Sequence, residues 1–209
     1  MLAHHFRDLE QQRDASTLGM WIFLATEVMF FGVLFMGYTA YRAVYYESFA
    51  AASHHLKLLL GGINTVVLLS SSLSMALAVH AAQLGRSRAL VGFLLVTMLL
   101  GAVFLGIKAV EYYAEYEKLL VPGLNFAYSG PNPGQVEIFF LLYFFMTGLH
   151  AFHLVVGIGL VGSIALLAWR GRYTPAYHTP VELTGLYWHF VDVIWVFLFP
   201  LRYLIDVHR

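Results

Sequence analysis

One acidic residue, Glu27, stands alone in a long apolar stretch, GMWIFLATEVMFFG. A charge in the hydrocarbon part of a membrane costs about 2.5–3.5 kcal/mol or more, so an acidic residue there is a candidate for function. The functional interpretations are a proton relay, an ion site or a contact to a lipid headgroup. The structural interpretation is a neutral glutamic acid that is hydrogen-bonded to a neighbouring helix. The sequence leaves both open.

Two histidines, His150 and His153, lie three residues apart in MTGLHAFHLVVG, a spacing that places them on one side of a helix. Metal or haem ligation would need further ligands at matched depth, for which His80 and His189 are the candidates. Bis-histidine haem ligation uses single histidines on facing helices rather than a crowded pair. The spacing therefore favours histidines that hydrogen-bond between helices over a metal centre.

A second polar pair, His189 and Asp192, falls in the apolar segment YWHFVDVIWVFLFP. The same three-residue spacing lets the two side chains pair, which lowers the cost of burying both. A structural hydrogen-bonded pair is favoured, and a proton path is the alternative. The chain has no glycine-rich phosphate loop, no HExxH motif, no di-iron array and no nucleophilic triad. We therefore expect this chain to perform no chemistry alone.

The elements that carry these residues are predicted to be membrane helices. Apolar residues make up 60% of the 209 residues and charged residues only 11%, whereas soluble domains carry about 25% charged residues. Long apolar runs near the ~20 residues that span a bilayer predict an all-α membrane protein, a bundle of five transmembrane helices in a single domain, residues 1–209. The predicted spans are residues 17–41, 58–82, 89–113, 138–169 and 183–204.

The connections and the composition narrow the prediction further. The segment KAVEYYAEYEKLL keeps helical spacing, so the third helix is expected to project from the membrane before an irregular loop, VPGLNFAYSGPNPG. The short segments GRSR and WRGRY are basic, which favours a cytoplasmic N-terminus. The formal charge of zero gives no reason to expect a nucleic-acid partner. The absence of cysteine excludes disulfides and thiolate sites.

Five sequence blocks resemble the subunit III family of haem-copper oxidases, and they occur in the family's order over nearly the whole chain. The first three are LGMWIFLATEVMFFG, INTVVLLSSSLSMALAVHAA and GIKAVEYYAEY, in which Glu111 stands. FMTGLHAFHLVVG resembles the family's TGxHxxH signature, and YWHFVDVIWVFLFPLRY resembles its closing helix. The chain looks like the five-span bacterial form, which lacks the first two of the seven spans in the mitochondrial-like form.

The resemblance implies a non-catalytic subunit that contains no haem or copper. It implies packing on subunit I, whose metal centres reduce oxygen to water and pump protons, beside subunit II, with cytochrome c as the donor. It further implies support of proton uptake, protection against turnover inactivation, and a cleft that holds phospholipids in a bacterial inner membrane. By motif, Glu27 matches the carboxyl group of that cleft and of carbodiimide sensitivity, and Arg170 matches a lipid-phosphate contact. His80, His178 and Glu182 fall at matching places.

Three alternatives remain open at this stage. An accessory subunit of a quinol oxidase or nitric oxide reductase would carry the same motifs. A b-type cytochrome would use the histidines as haem ligands. A small proton transporter built around Glu27 is the third, although the chain lacks the inverted repeats of such proteins.

Overall fold

The computed structural model describes residues 7–53 and 58–203, apart from the side chains of Leu9, Arg202 and Tyr203. The described part of the chain forms six helices: α1 (Leu9–Val44), α2 (Tyr46–Ser53), α3 (Leu58–Gln83), α4 (Ser87–Glu117), α5 (Pro133–Trp169) and α6 (Thr179–Tyr203). Five of them, all except the short α2, are long and apolar enough to cross a membrane. The all-α membrane fold is thus confirmed.

The helix ends follow local capping chemistry. Asp8 accepts a hydrogen bond from the Gln11 backbone N–H at 2.7 Å, which fixes the start of α1 eight residues before the predicted span. Pro133 begins α5, where its missing N–H costs nothing. The predicted projection of the third helix is present, since α4 continues to Glu117 before an irregular segment. The short α2 has no counterpart in the predicted elements, and the end of the predicted fifth span, residue 204, lies outside the described residues.

Helices α3, α4, α5 and α6 pack as a four-helix unit in which each helix contacts two neighbours, and α1 lies outside it against α6. Two tryptophans of α6, Trp188 and Trp195, are among the largest fully buried side chains. The indole of Trp188 reaches so close to Gly101 and Gly157 that a Cβ there would lie 2.9 Å and 3.2 Å from its ring. These glycines let the helices approach closely around a large ring.

The chain crosses the membrane with its N-terminal end, the α3–α4 turn and the α5–α6 loop on one side, which we call the N-side. Gly85, in the α3–α4 turn, has a φ of +68°, and a Cβ there would lie 2.9 Å from Pro175 of the α5–α6 loop. The two N-side connections therefore touch. Large apolar side chains cover the outer face of α1, as expected for a surface that faces lipid or another membrane protein.

Candidate functional site

Glu27 of α1 and His153 of α5 contact each other through their polar side-chain atoms. The Nε2 atom of His153 lies 3.2 Å from a carboxylate oxygen of Glu27, and the Nδ1 atom lies 2.9 Å from the Leu149 carbonyl oxygen on its own helix. Tyr187 of α6 donates its hydroxyl to the His153 carbonyl oxygen at 3.0 Å. The intramembrane carboxyl group thus has a partner on a neighbouring helix.

This pair lies at an apolar groove between α1, α5 and α6. The groove has a volume of about 450 Å³. The Glu27 and His153 side chains are 19% and 13% exposed, so the pair is reachable from the groove. Apart from the pair, the groove is lined by Met20, Phe23, Phe152, Val156, Leu160, Leu183, Thr184 and Tyr187. It can therefore accept a flexible apolar chain and offers that chain one ionisable contact.

His150 has a different environment, although it is only three residues from His153. Its ring is buried between Phe104 and Trp195, with ring centroids 5.5 Å and 5.3 Å away. Both ring nitrogens lack a hydrogen-bond partner among the described residues. The expectation of histidines hydrogen-bonded between helices thus describes the pairing of His153 with Glu27 and fails for His150. The described residues also contain no group of three His, Cys, Asp or Glu side chains placed to hold a metal ion.

His189 and Asp192 do not pair with each other, contrary to the expectation from their spacing. His189 Nδ1 instead lies 2.7 Å from the Ser72 hydroxyl oxygen on α3. Both carboxylate oxygens of Asp192 are buried without a hydrogen-bond partner among the described residues. The direction in which each side chain leaves α6 decides this outcome, because the imidazole points towards the α3 hydroxyl.

Glu111, predicted to belong to a structural polar pair, lies in a buried cluster whose other members the sequence analysis did not single out. Lys108 Nζ lies 2.8 Å from one Glu111 oxygen, and the Tyr143 hydroxyl donates to the other at 3.0 Å. The ammonium group also lies 5.1 to 5.5 Å from the ring centroids of Tyr112, Tyr143 and Trp195. Lysine in the segment GIKAVEYYAEY was a signal for this pair, since Lys108 and Glu111 are three residues apart on a helix.

The N-side end of the bundle carries a polar cluster around Glu182. Its Oε1 atom lies 3.1 Å from His178 Nε2 and accepts a hydrogen bond from Gln83 Nε2 at 3.0 Å. Arg13 of α1 lies 3.9 Å from the other oxygen. The structure thus brings His178 and Glu182 together, and it adds two residues that the sequence did not single out.

The remaining predicted residues, Arg170 and His80, are exposed at the same side of the molecule. Arg170 caps the end of α5 through its backbone, and neither side chain joins the Glu182 cluster. Both remain accessible to an anionic headgroup at the membrane surface, where a basic side chain neutralises phosphate.

Comparison with known proteins places this architecture in a family. The family described as cytochrome c oxidase subunit III matches residues 7–206. Cytochrome c oxidase subunit 3 of Thermostichus vulcanus is 32% identical over 92% of this chain and 88% of that protein. The protein of the same name from Corynebacterium diphtheriae is 32% identical over 91% and 88% of the two chains. Quinol oxidase subunit 3 of Bacillus spizizenii is 31% identical over 91% and 87%.

These matches cover the helices that carry both the groove and the N-side cluster. The chain therefore belongs to the subunit III family of the haem-copper oxidases.

Proposed function

We propose that this chain is the non-catalytic subunit III of a proton-pumping cytochrome c oxidase, which packs on subunit I beside subunit II and holds phospholipids. In this role it carries no redox centre, and the haem and copper that reduce oxygen belong to the partner subunits. The observation that carries the lipid part of the proposal is the groove between α1, α5 and α6, which is apolar along its length and ends at the Glu27–His153 pair.

The dimensions of the groove fit an acyl chain. Its volume of about 450 Å³ lies within the roughly 300–1,000 Å³ typical of small-molecule sites. Its wall is formed by aliphatic and aromatic side chains from three helices. Arg170 and His80 at the N-side surface supply basic groups for a phosphate. A phospholipid with its headgroup at that surface accounts for both features.

A substitution that fills the groove tests the lipid assignment. Val156 lines the groove, and its apolar side chain takes no part in the contact between Glu27 and His153. Val156→Trp is therefore expected to fill the groove and displace the lipid while Glu27 and His153 are unchanged. Leu99→Trp is the matched control, because Leu99 is 64% exposed on α4 outside the groove. The measurement is phospholipid retained per purified oxidase complex, by mass spectrometry. Equal lipid retention in the two variants would refute the assignment.

The support of proton uptake and of enzyme lifetime is a further part of the proposal. The N-side surface carries an imidazole and a carboxyl group, those of His178 and Glu182, side-chain types that can exchange protons with water. We expect removal of this subunit from the purified complex to reduce the rate of proton uptake and to reduce the number of turnovers before inactivation. An unchanged rate of proton uptake together with an unchanged number of turnovers before inactivation would contradict this role.

The electron donor separates the two candidate complexes. Relatives named cytochrome c oxidase and quinol oxidase subunit 3 match this chain at nearly the same identity, 32% and 31%. Affinity purification through a tag on this chain, with a reduced-minus-oxidised spectrum, discriminates them. Haem a bands with a copper-A subunit are expected for the cytochrome c oxidase. Haem b or o bands without a copper-A subunit would assign the chain to a quinol oxidase or nitric oxide reductase.

The proposal includes a location in the bacterial inner membrane with the N-side in the cytoplasm. The basic residues of the α3–α4 turn and the α5–α6 loop, Arg86, Arg88, Arg170 and Arg172, support this orientation. Labelling of a single cysteine introduced at Ser87 by a membrane-impermeant maleimide tests it, because the natural chain has no cysteine. Labelling is expected only after the membrane is opened, and labelling of intact cells would reverse the orientation.

A further inference from the structure

A second cavity, of about 400 Å³, lies between α1, α3 and α6. Arg13 and Glu182 line its mouth at the N-side, and His189 lines its inner end. Glu182 and His189 are seven residues apart on α6, which is about 10 Å along a helix. The cavity shares only Leu183 with the groove at Glu27, so it is a separate opening on the other flank of α1.

The wall between the mouth and the inner end is largely apolar. It is formed by Thr17, Ala76, Val79, Leu183, Gly185 and Leu186. A Cβ at Gly185 would lie 2.9 Å from Cγ2 of Val79 on α3, so the glycine allows α3 and α6 to approach closely here. The volume lies within the roughly 300–1,000 Å³ typical of small-molecule sites. The cavity therefore fits a slim apolar molecule.

His189 supplies one hydrogen-bonding atom at the inner end. Its Nδ1 atom lies 2.7 Å from the Ser72 hydroxyl oxygen of α3, which fixes the orientation of the imidazole ring. The opposite nitrogen, Nε2, makes no hydrogen bond with any described residue, and the side chain lines the cavity. A polar atom without a partner is costly in a membrane. An imidazole nitrogen donates or accepts according to its tautomer, and a hydroxyl group can pair with either form.

The charges at the mouth favour a ligand without net charge. Arg13 lies 3.9 Å from one carboxylate oxygen of Glu182, and the other oxygen is bonded by His178 and Gln83. Because the guanidinium and carboxylate groups compensate each other, the mouth attracts neither anions nor cations strongly. An ionised head group would also lose its hydration on moving inward to His189, which is unfavourable at membrane depth. A neutral head group avoids that loss.

We propose that this cavity binds a small lipid-soluble molecule with a neutral hydroxyl head group, the chemistry shared by apolar alcohols and phenols. The hydroxyl group bonds to His189 Nε2, and Ser72 holds the imidazole ring in position. The apolar body lies against Ala76, Val79 and Leu186. The bound molecule fills the space between α1 and the four-helix unit. This site is independent of the phospholipid groove and of the electron donor that the complex uses.

Photolabelling of the intact oxidase complex with azioctanol, a photoreactive alcohol, tests the site. The complex is embedded in phosphatidylcholine vesicles, and peptide mass spectrometry measures the label on the cavity-lining segments of α3 and α6 as the azioctanol concentration rises. We expect this labelling to saturate. At equal concentrations in the membrane, octanol should displace the label about 2-fold to 10-fold more effectively than octane, which lacks the hydroxyl group, because this is the contribution of one hydrogen bond.

Substitutions separate the head-group contact from the space for the apolar body. His189→Leu should raise the half-saturating concentration of azioctanol about 2-fold to 10-fold, and His189→Gln, which keeps a hydrogen-bonding side chain, should raise it less. Ala76→Phe should abolish saturable labelling, because its ring would occupy the cavity. Ala102→Phe is the matched control, since Ala102 is an exposed alanine of α4 outside the cavity, and it should label like the wild type.

Labelling that rises without saturation in the wild type would overturn the proposal, as would equal displacement by octanol and octane. In both cases apolar chains occupy the cavity with no recognition of a head group. An unchanged half-saturating concentration in His189→Leu, or equal labelling in Ala76→Phe and Ala102→Phe, would overturn it as well. The comparison of octanol with octane uses the wild-type complex, so it decides even where a His189 variant does not assemble.

Discussion

Removing one partner of the Lys108–Glu111 pair is expected to destabilise the bundle more than breaking any other ion pair among the described residues. Their side chains are 5% and 1% exposed and lie 2.8 Å apart, with Tyr143 bonded to both. Removing one partner of such a pair leaves an uncompensated buried charge and typically costs about 3–5 kcal/mol. We expect that loss in the free energy of unfolding for Lys108→Met.

Glu111→Gln, which removes the charge of the other partner, should lower the free energy of unfolding by less than Lys108→Met. The amide keeps an acceptor oxygen, and the ammonium group keeps the Tyr143 hydroxyl at 3.1 Å and the faces of three aromatic rings. Each such cation–π contact contributes about 0.5–2 kcal/mol. We therefore expect a loss of about 1–3 kcal/mol for Glu111→Gln.

The double variant Lys108→Met/Glu111→Gln gives the decisive comparison, because it removes both charges. Its unfolding free energy should lie above that of Lys108→Met by about 2 kcal/mol, since replacing a whole buried pair by uncharged groups is often close to neutral. Unfolding by SDS in mixed micelles can be followed by the fluorescence of Trp195, which lies 5.2 Å from the lysine nitrogen. Additive losses in the double variant would refute the coupling and the reasoning from the geometry.

Three further outcomes follow from the packing and the groove. Gly101→Ala should destabilise the chain by about 1–3 kcal/mol, because its Cβ would lie 2.9 Å from Trp188, whereas Gly106→Ala, with open space around it, should not. An apolar carbodiimide should modify Glu27 before the more deeply buried carboxyl groups, because the groove leads to it, as peptide mass spectrometry would reveal. Burial raises the pKa of Tyr173 above its ordinary value of 10.0, so the free energy of unfolding should decrease as the pH rises above 10. Tyr173→Phe should make this decrease smaller when unfolding free energy is measured against pH.

The number, order and approximate position of the membrane helices could be predicted from the amino-acid sequence alone. Twenty or more apolar residues in succession can satisfy their backbone groups in hydrocarbon only as a helix, so this part of the fold depends on local composition. The same local reasoning selected Glu27, His153 and Asp192, because polar groups in such segments are costly and therefore few. His178 and Glu182, near the start of α6, were selected by the family resemblance and not by this local reasoning.

Tertiary structure decided which partner each buried group has. Glu27 pairs with a histidine 126 residues away, and no local spacing predicts that contact. Two pairs with identical three-residue spacing had opposite outcomes, since Lys108 reaches Glu111 while His189 turns from Asp192 to Ser72. Spacing fixes only which side of a helix two residues share. The rotation and packing of the helices fix what each side chain faces. In a membrane core without bulk water, that contact decides whether a polar group is paired or buried alone.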